Sequence, residues 1–309
     1  MTDMTSGGMT APGEHAAEPQ GVLGLAAARL KGKTVFMSGG SRGIGLAIAR
    51  RLAAQGANIA LIAKTTEPHP KLPGTIFTAA EEIGSLGGQA LPIPGDIRDI
   101  DQIQAAVART AEHFGGIDIC INNASALNLG GIAELEPKRF DLVMGVNARG
   151  TFCVTRACLP HLLSSGWPHV LTLSPPLNLD PQWFHSSGYT ISKYGMTIVT
   201  LGVADEYRDR GVAGNCLWPR TTIATAAVNN MLGGPEMMRM SRTPEIVADA
   251  ALVALSQDPT TFTGNALLVE DLLASRAGIS DLSSYAFDPQ ATQLAPDFFV
   301  DPDDPPMDA

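Results

Sequence analysis

Cysteine is scarce and scattered in this chain. Among 309 residues there are four, Cys120, Cys153, Cys158 and Cys216, all in apolar contexts and none in a Cys-x-x-Cys pair. The six histidines show no His-x-x-x-His spacing. A disulfide framework and a metal site are therefore not expected, and buried thiols suit a reducing, cytoplasmic compartment. No apolar run approaches the roughly 18 residues that a membrane span needs. The opening stretch, MTDMTSGGMTAPGEHAAEPQ, has neither the basic nor the apolar segment of a secretory signal and reads as a disordered arm over 1–28. Positive charge is in deficit, with 21 Lys and Arg against 31 Asp and Glu and a net charge of −10. That balance disfavours a nucleic-acid surface.

What is present is apolar and periodic. Hydrophobic residues make up 45% and charged ones 17%, as in a soluble protein with a large core. From about Thr34 to Glu270, seven short apolar runs (TVFMS, NIALIA, QALPIP, IDICIN, HVLTLS, GNCLW and NALLVE) alternate with longer amphipathic stretches. The runs mostly do not alternate apolar with polar residues, which is how strands covered on both faces of a parallel sheet read. The segment DIDQIQAAVARTAEHFG opens on acids and closes on glycine, a helix with both ends marked. Strand–helix alternation with right-handed crossovers predicts an α/β, Rossmann-type, doubly wound parallel sheet of about seven strands with helices on both faces. No repeat or internal linker interrupts it, so 29–276 is read as one domain. Residues 277–309 follow as an irregular extension whose acidic, proline-rich end is expected to be disordered.

The first unit, KTVFMSGGSRGIGLAIARRLAAQGANIALIAK, carries Gly39, Gly43 and Gly45 directly after a strand and at the start of a helix. A glycine trio alone says little; inside a βαβ unit of about 30 residues it points to a dinucleotide pyrophosphate at the helix N-terminus. The second strand ends in Lys64, where an NAD-binding unit normally carries an acid for the ribose 2′-hydroxyl. A cation there, flanked by Arg42, favours a 2′-phosphate, hence NADP(H) over NAD(H).

In SGYTISKYG, Tyr189 and Lys193 stand one helical turn apart on one face. A phenol with a pKa of about 10 is a poor base at neutral pH. A neighbouring ammonium favours the phenolate, and lowering the pKa by two or three units takes roughly 3–4 kcal/mol. Such a pair would trade protons in carbonyl–alcohol chemistry.

Together, SGGSRGIG, the NNAS stretch at 122–125, Asn147 in GVNARGTF and YTISK resemble the short-chain dehydrogenase/reductase family, from about Lys31 to Glu270. The segments AKTTEPHPKLPGTIFTAAEEI, SPPLNLDPQWF, LWPRT and PDFFVD are further similar to the hydroxysteroid dehydrogenase-like protein 2 group, whose bacterial relatives are often described as citronellol/citronellal dehydrogenases. The resemblance does not extend to the sterol-carrier domain of some eukaryotic members. It implies that Tyr189 is the acid/base, that Lys193 binds the nicotinamide ribose and lowers the tyrosine pKa, and that Asn147 holds a relay water. It also implies a cofactor cradle of Gly39, Ser41, Arg42, Gly43, Ile44, Gly45, Lys64, Asp96 and Ile97 (with Asp96 at the adenine), Asn123, Ala124, and a covering loop with Pro219, Ile223 and Thr225. A homo-oligomer, dimer or tetramer, is implied as well.

One family feature is missing. About 13 residues before the tyrosine the family carries a serine for the substrate oxygen, and here prolines stand at Pro175 and Pro176. Proline has no side-chain donor, and losing such a donor would cost on the order of 10²-fold in rate. Ser174 is the candidate replacement, although strand neighbours point to opposite faces. Ser125 stands where the family has glycine, and Ser38 where it has threonine. Trp183, Phe184, Trp218, Met231, Met237 and Met238 suggest an apolar substrate pocket. The expected function is NADP(H)-dependent oxidation or reduction of a small apolar alcohol, aldehyde or ketone. The alternatives are a weakly catalytic NADP(H)-binding protein and a 3-oxoacyl thioester reductase.

Overall fold

The structure, a computed structural model, describes residues 29–69 and 72–301. The arm over 1–28 and the acidic end from 302 lie outside the described residues. Each of the seven apolar runs becomes a strand: β1 (Thr34–Ser38), β2 (Asn58–Ala63), β3 (Ala90–Pro94), β4 (Ile119–Asn122), β5 (His169–Thr172), β6 (Ala213–Trp218) and β7 (Ala266–Leu268). All pairings are parallel, in the order β3-β2-β1-β4-β5-β6-β7.

The lack of polar alternation has a visible cause: successive residues on a strand are claimed by different cores. In β2, Ile59 and Leu61 enter one core while Ala60 and Ile62 enter the other. The first core is closed by α1 (Gly43–Ala53), α2 (Ile76–Ser85), α8 (Glu245–Leu255) and α9 (Val269–Ala277). The second is closed by α3 (Ile100–Phe114), α5 (Ala148–Leu162) and α6 (Ser187–Glu206). The ends of α3 are those the acids and glycine marked. Asp99 accepts from the N–H groups of Asp101 and Gln102, and Gly115 takes φ 86° to end the helix.

Strand order reverses between β1 and β4, so their connections leave in opposite directions and a crevice opens at the strand C-termini. Two further helices, α4 (Pro137–Val146) and α7 (Gly234–Arg239), belong to the loops at that end. The irregular extension does not drift away. Residues 295–300 return to the same end and bond to the stretch after β6: Thr222 N–H to Ala295 O at 2.9 Å, and Asp297 N–H to Arg220 O at 2.9 Å. No helix among the described residues is long and apolar enough to cross a membrane.

Candidate active site

The nucleotide side is built by close backbone approach. Gly39 has φ +77°, and a Cβ there would lie 2.7 Å from the Ala124 Cα. A Cβ on Gly45 would lie 2.4 Å from Asn123 Nδ2 and 2.5 Å from Gly39 O. Only glycine permits this turn, which locks β1 to the end of β4. Asn123 completes the lock, its Nδ2 donating to Gly39 O at 2.6 Å, and Ala124 N–H donates to Ser38 Oγ at 3.3 Å. The N-cap of α1, Arg42, supplies no capping side chain, and no acid occupies the first turn. The first N–H groups of α1 thus face the crevice without a side-chain acceptor, as a pyrophosphate cradle requires. Thr225 packs against this loop, within 3.4 Å of where a Gly43 Cβ would stand. Ser41 and Ile223 are buried beside it, Ile44 is partly buried against the first core, and Pro219 is buried after β6.

At the end of β2, Lys64 is mostly exposed and pairs with Asp96 at 3.1 Å. Asp96 also accepts from Arg98, and that hydrogen bond above all holds its carboxyl well below the ordinary value. The carboxylate of Asp96, the residue expected at the adenine, pairs with two cations. Ile97 is buried under Gly150, whose added Cβ would meet it at 2.8 Å. Arg42 Nη2 donates to Gly74 O at 3.3 Å, while its Nε is buried with no partner. The glycine cradle and this orphaned, cationic donor fit an NAD(P) pyrophosphate and ribose.

On the substrate side, Tyr189 and Lys193 lie on α6 as the spacing requires, 6% and 2% exposed. The lysine ammonium is held by a backbone carbonyl and an aromatic face. Its Nζ donates to Leu173 O at 2.6 Å and lies 4.7 Å from the Trp218 ring centroid. Burial pushes the Tyr189 phenol above its ordinary value, the Asp297 charge adds to that, and a hydrogen bond with Ser125 opposes it. Lys193 is itself pulled down to about 7 by burial, against the attraction of Asp297. The physical reason is that desolvation penalises the charged form of each group.

Asn147 is fully buried at the kink between α4 and α5. Its Oδ1 accepts from Ala126 N–H at 2.7 Å, and its Nδ2 donates to Ala126 O at 3.0 Å and Ser192 Oγ at 2.9 Å. The Asn147 side chain thus braces the β4 loop against α6. That brace fixes the loop that carries Ser125, exposed between the anchored Ala124 and Ala126 and close enough to the Tyr189 phenol to favour its charged form. Ser174, the expected replacement donor, is 0% exposed and its hydroxyl lies beside the Cys216 thiol. It has no surface in the crevice.

Trp183 and Trp218 do meet near Tyr189, but through a residue to which the sequence reading gave no role. Phe299 lies 5.6 Å and 6.1 Å from them, ring centre to ring centre. Phe184 and Met231 are exposed, and Met237 packs on Gly233. The signal for Phe299 was an aromatic pair, Phe298–Phe299, in an otherwise polar tail.

A doubly wound sheet with a glycine cradle at its switch point and a Tyr–Lys helix across the crevice defines a dinucleotide-dependent oxidoreductase. The family model described as short chain dehydrogenase matches residues 33–232. Hydroxysteroid dehydrogenase-like protein 2 of Danio rerio is 52% identical over 88% of this chain and 65% of its own length. The human protein of that name is 51% identical, over 88% and 64%. This chain therefore spans just under two-thirds of those relatives. A solved short-chain dehydrogenase from Mycobacterium thermoresistibile is 59% identical, covering 90% of this chain and 98% of that one, with TM-score 0.84. A metagenomic short-chain oxidoreductase solved in complex with NADP is 25% identical over 78% of this chain and 97% of its own, with TM-score 0.64. The chain belongs to the short-chain dehydrogenase family of NAD(P)-dependent oxidoreductases.

Proposed function

We propose that this chain is an NADP(H)-dependent oxidoreductase acting on an apolar alcohol, aldehyde or ketone, with Tyr189 exchanging the proton. The observation that carries the reading is Tyr189 and Lys193 on one face of α6 beneath a cluster of aromatic rings, across the crevice from the glycine cradle. Bound NADP(H) supplies hydride transfer at the nicotinamide C4. In reduction, Tyr189 gives its proton to the substrate oxygen as that oxygen gains charge; in oxidation it takes the proton back. Lys193 is the group for the nicotinamide ribose hydroxyls, and the exposed Ser125 hydroxyl, rather than the buried Ser174, is the polar contact available to a substrate oxygen.

Three features support the finer points. Lys64 stands at the end of β2 with the unpartnered Arg42 Nε in the neighbouring loop, which favours a 2′-phosphate, and one structural neighbour is solved with NADP. Exposed apolar side chains rim the loops after β4, β5 and β6 (Ile132, Leu177, Leu179 and Met231), in keeping with an apolar substrate. Phe152, Ile191 and Ile198 are exposed on α5 and α6, which supports a homo-oligomer.

The test is oxidation of NADPH and NADH across medium-chain and terpenoid aldehydes, in the wild type and Lys64→Gln. Turnover is expected with NADPH preferred, the preference narrowing by about tenfold in the variant as a charge-assisted contact is lost. Tight NADPH binding with no turnover would favour a weakly catalytic binding protein, the reading that Pro175 and the burial of Ser174 support.

A further inference from the structure

In the stretch Ala295–Val300 of the extension, Ala295, Phe299 and Val300 are buried, and Phe299 and Val300 pack with Tyr189 on the substrate side of the crevice. Their backbone is fixed at several points. Ala295 bonds both ways, its N–H to Met240 O at 2.8 Å and its carbonyl from Thr222 N–H at 2.9 Å. Trp218 Nε1 donates to Phe298 O at 2.8 Å, and Asn178 Nδ2 to Phe299 O at 3.3 Å. These anchors come from the loops after β5 and β6 and from β6 itself, the elements that frame Tyr189.

The side chains close what the backbone frames. Phe299 is 3% exposed and stacks on Tyr189, ring centres 5.9 Å apart and planes at 28°. It also meets Tyr194 at 5.3 Å, and Phe298 approaches Tyr189 edge-on at 6.3 Å. Ala126, Leu127 and Leu129 of the β4 loop pack against the same cluster. Phe299 holds this position at φ +71°, the only non-glycine residue with positive φ among those described. A bulky side chain adopts that backbone only where its surroundings impose it. The ring is thus held against its local preference, on the face of the residue that must meet substrate.

We propose that Ala295–Val300 is the substrate-side wall of this site and that Phe299 is its specificity-determining residue, its ring standing in for the apolar body of the substrate. The proposal rests on the oxidoreductase reading above. An apolar substrate reaches Tyr189 by displacing the Phe299 ring from its aromatic neighbours, and the room vacated sets the size accepted. Polar substrates gain nothing from that exchange, because the walls left behind are Trp183, Trp218 and Tyr194.

The experiment compares kcat/KM for a short linear aldehyde (butanal) and a branched terpenoid aldehyde (citronellal) in the wild type, Phe299→Ala, Phe299→Leu and Phe299→Gly. The glycine variant accepts the positive φ without strain and guards against a misfolded alanine variant. Phe299→Ala is expected to raise the citronellal-to-butanal ratio by about tenfold, with leucine between, since a few methylenes of pocket space are worth that much. NADPH affinity is expected to stay within about twofold, the wall lying outside the glycine cradle. Acrylamide quenching of Trp183 and Trp218 should rise in both small variants. Unchanged ratio and unchanged quenching in variants that bind NADPH would overturn the proposal. If no protein reduces any aldehyde yet quenching rises, the wall stands and the apolar-carbonyl reading falls.

Discussion

On the nucleotide side of the crevice one contiguous stretch, residues 38–45, makes the site from its own backbone, and Asn123 and Ala124 pin it in place. On the substrate side, side chains from positions as far apart as 126, 178, 183, 218 and 299 converge on Tyr189. The first is a local geometry, fixed by which residues lack a Cβ. The second is a long-range packing, fixed only once the extension has folded back. The difference predicts that changes on the first side act through cofactor affinity, and on the second through chemistry and selectivity.

Tyr189→Phe should break the comparison most severely. Turnover is expected to fall by about 10³-fold or more for want of a proton donor, while NADPH affinity, measured by fluorescence titration, stays within about twofold. Retained turnover would remove Tyr189 from its role. Next comes Gly45→Ala, whose added carbon would stand 2.4 Å from Asn123 Nδ2 and 2.5 Å from Gly39 O. Both neighbours are held in place, so NADPH affinity should drop by about 10²-fold with aldehyde selectivity unchanged. Calorimetric titration and the aldehyde ratio together check this.

The two serines sharpen the substrate side. Ser125→Ala should lower kcat by about tenfold to 10²-fold, whereas Ser174→Ala should leave it nearly unchanged, because only the first hydroxyl meets Tyr189. The reverse order would return Ser174 to the role first expected of it. The smallest effect concerns Asp297, lifted by burial from 3.8 to about 7 against the pull of the Phe298 N–H and Lys193, with Glu270 adding to the rise. Between about pH 4 and 7 the folded chain holds a proton that the unfolded chain has released, so this contribution to stability is lost as pH climbs through that window. Asp297→Asn should flatten that fall in urea midpoints measured from pH 4 to 7; an unaltered slope would mean the carboxyl titrates normally.

Several residues were legible because their meaning is local. Asp99 and Gly115 bracket α3, and Gly39 and Gly45 make the turn they suggest. Tyr189 and Lys193 share a helix face because helical spacing alone puts them there. The electrostatics were not legible. Spacing suggests an ammonium that lowers the phenol's pKa, whereas burial and the Asp297 charge push it up. Asn147 was found by position, but its two side-chain bonds to Ala126 were not legible, since they depend on a kink between two helices.

By itself the sequence determined the order of strands and helices, the glycine turn and the Tyr–Lys face. All three follow from steric limits and periodicities that act over a few residues. Packing of distant segments decided how deeply Tyr189 and Lys193 are buried, that Ser174 has no exposed surface, and that Phe299 stacks on Tyr189 from more than 100 residues away. Those outcomes depend on solvent exclusion and on contacts between distant segments, and neither exists until the chain has packed.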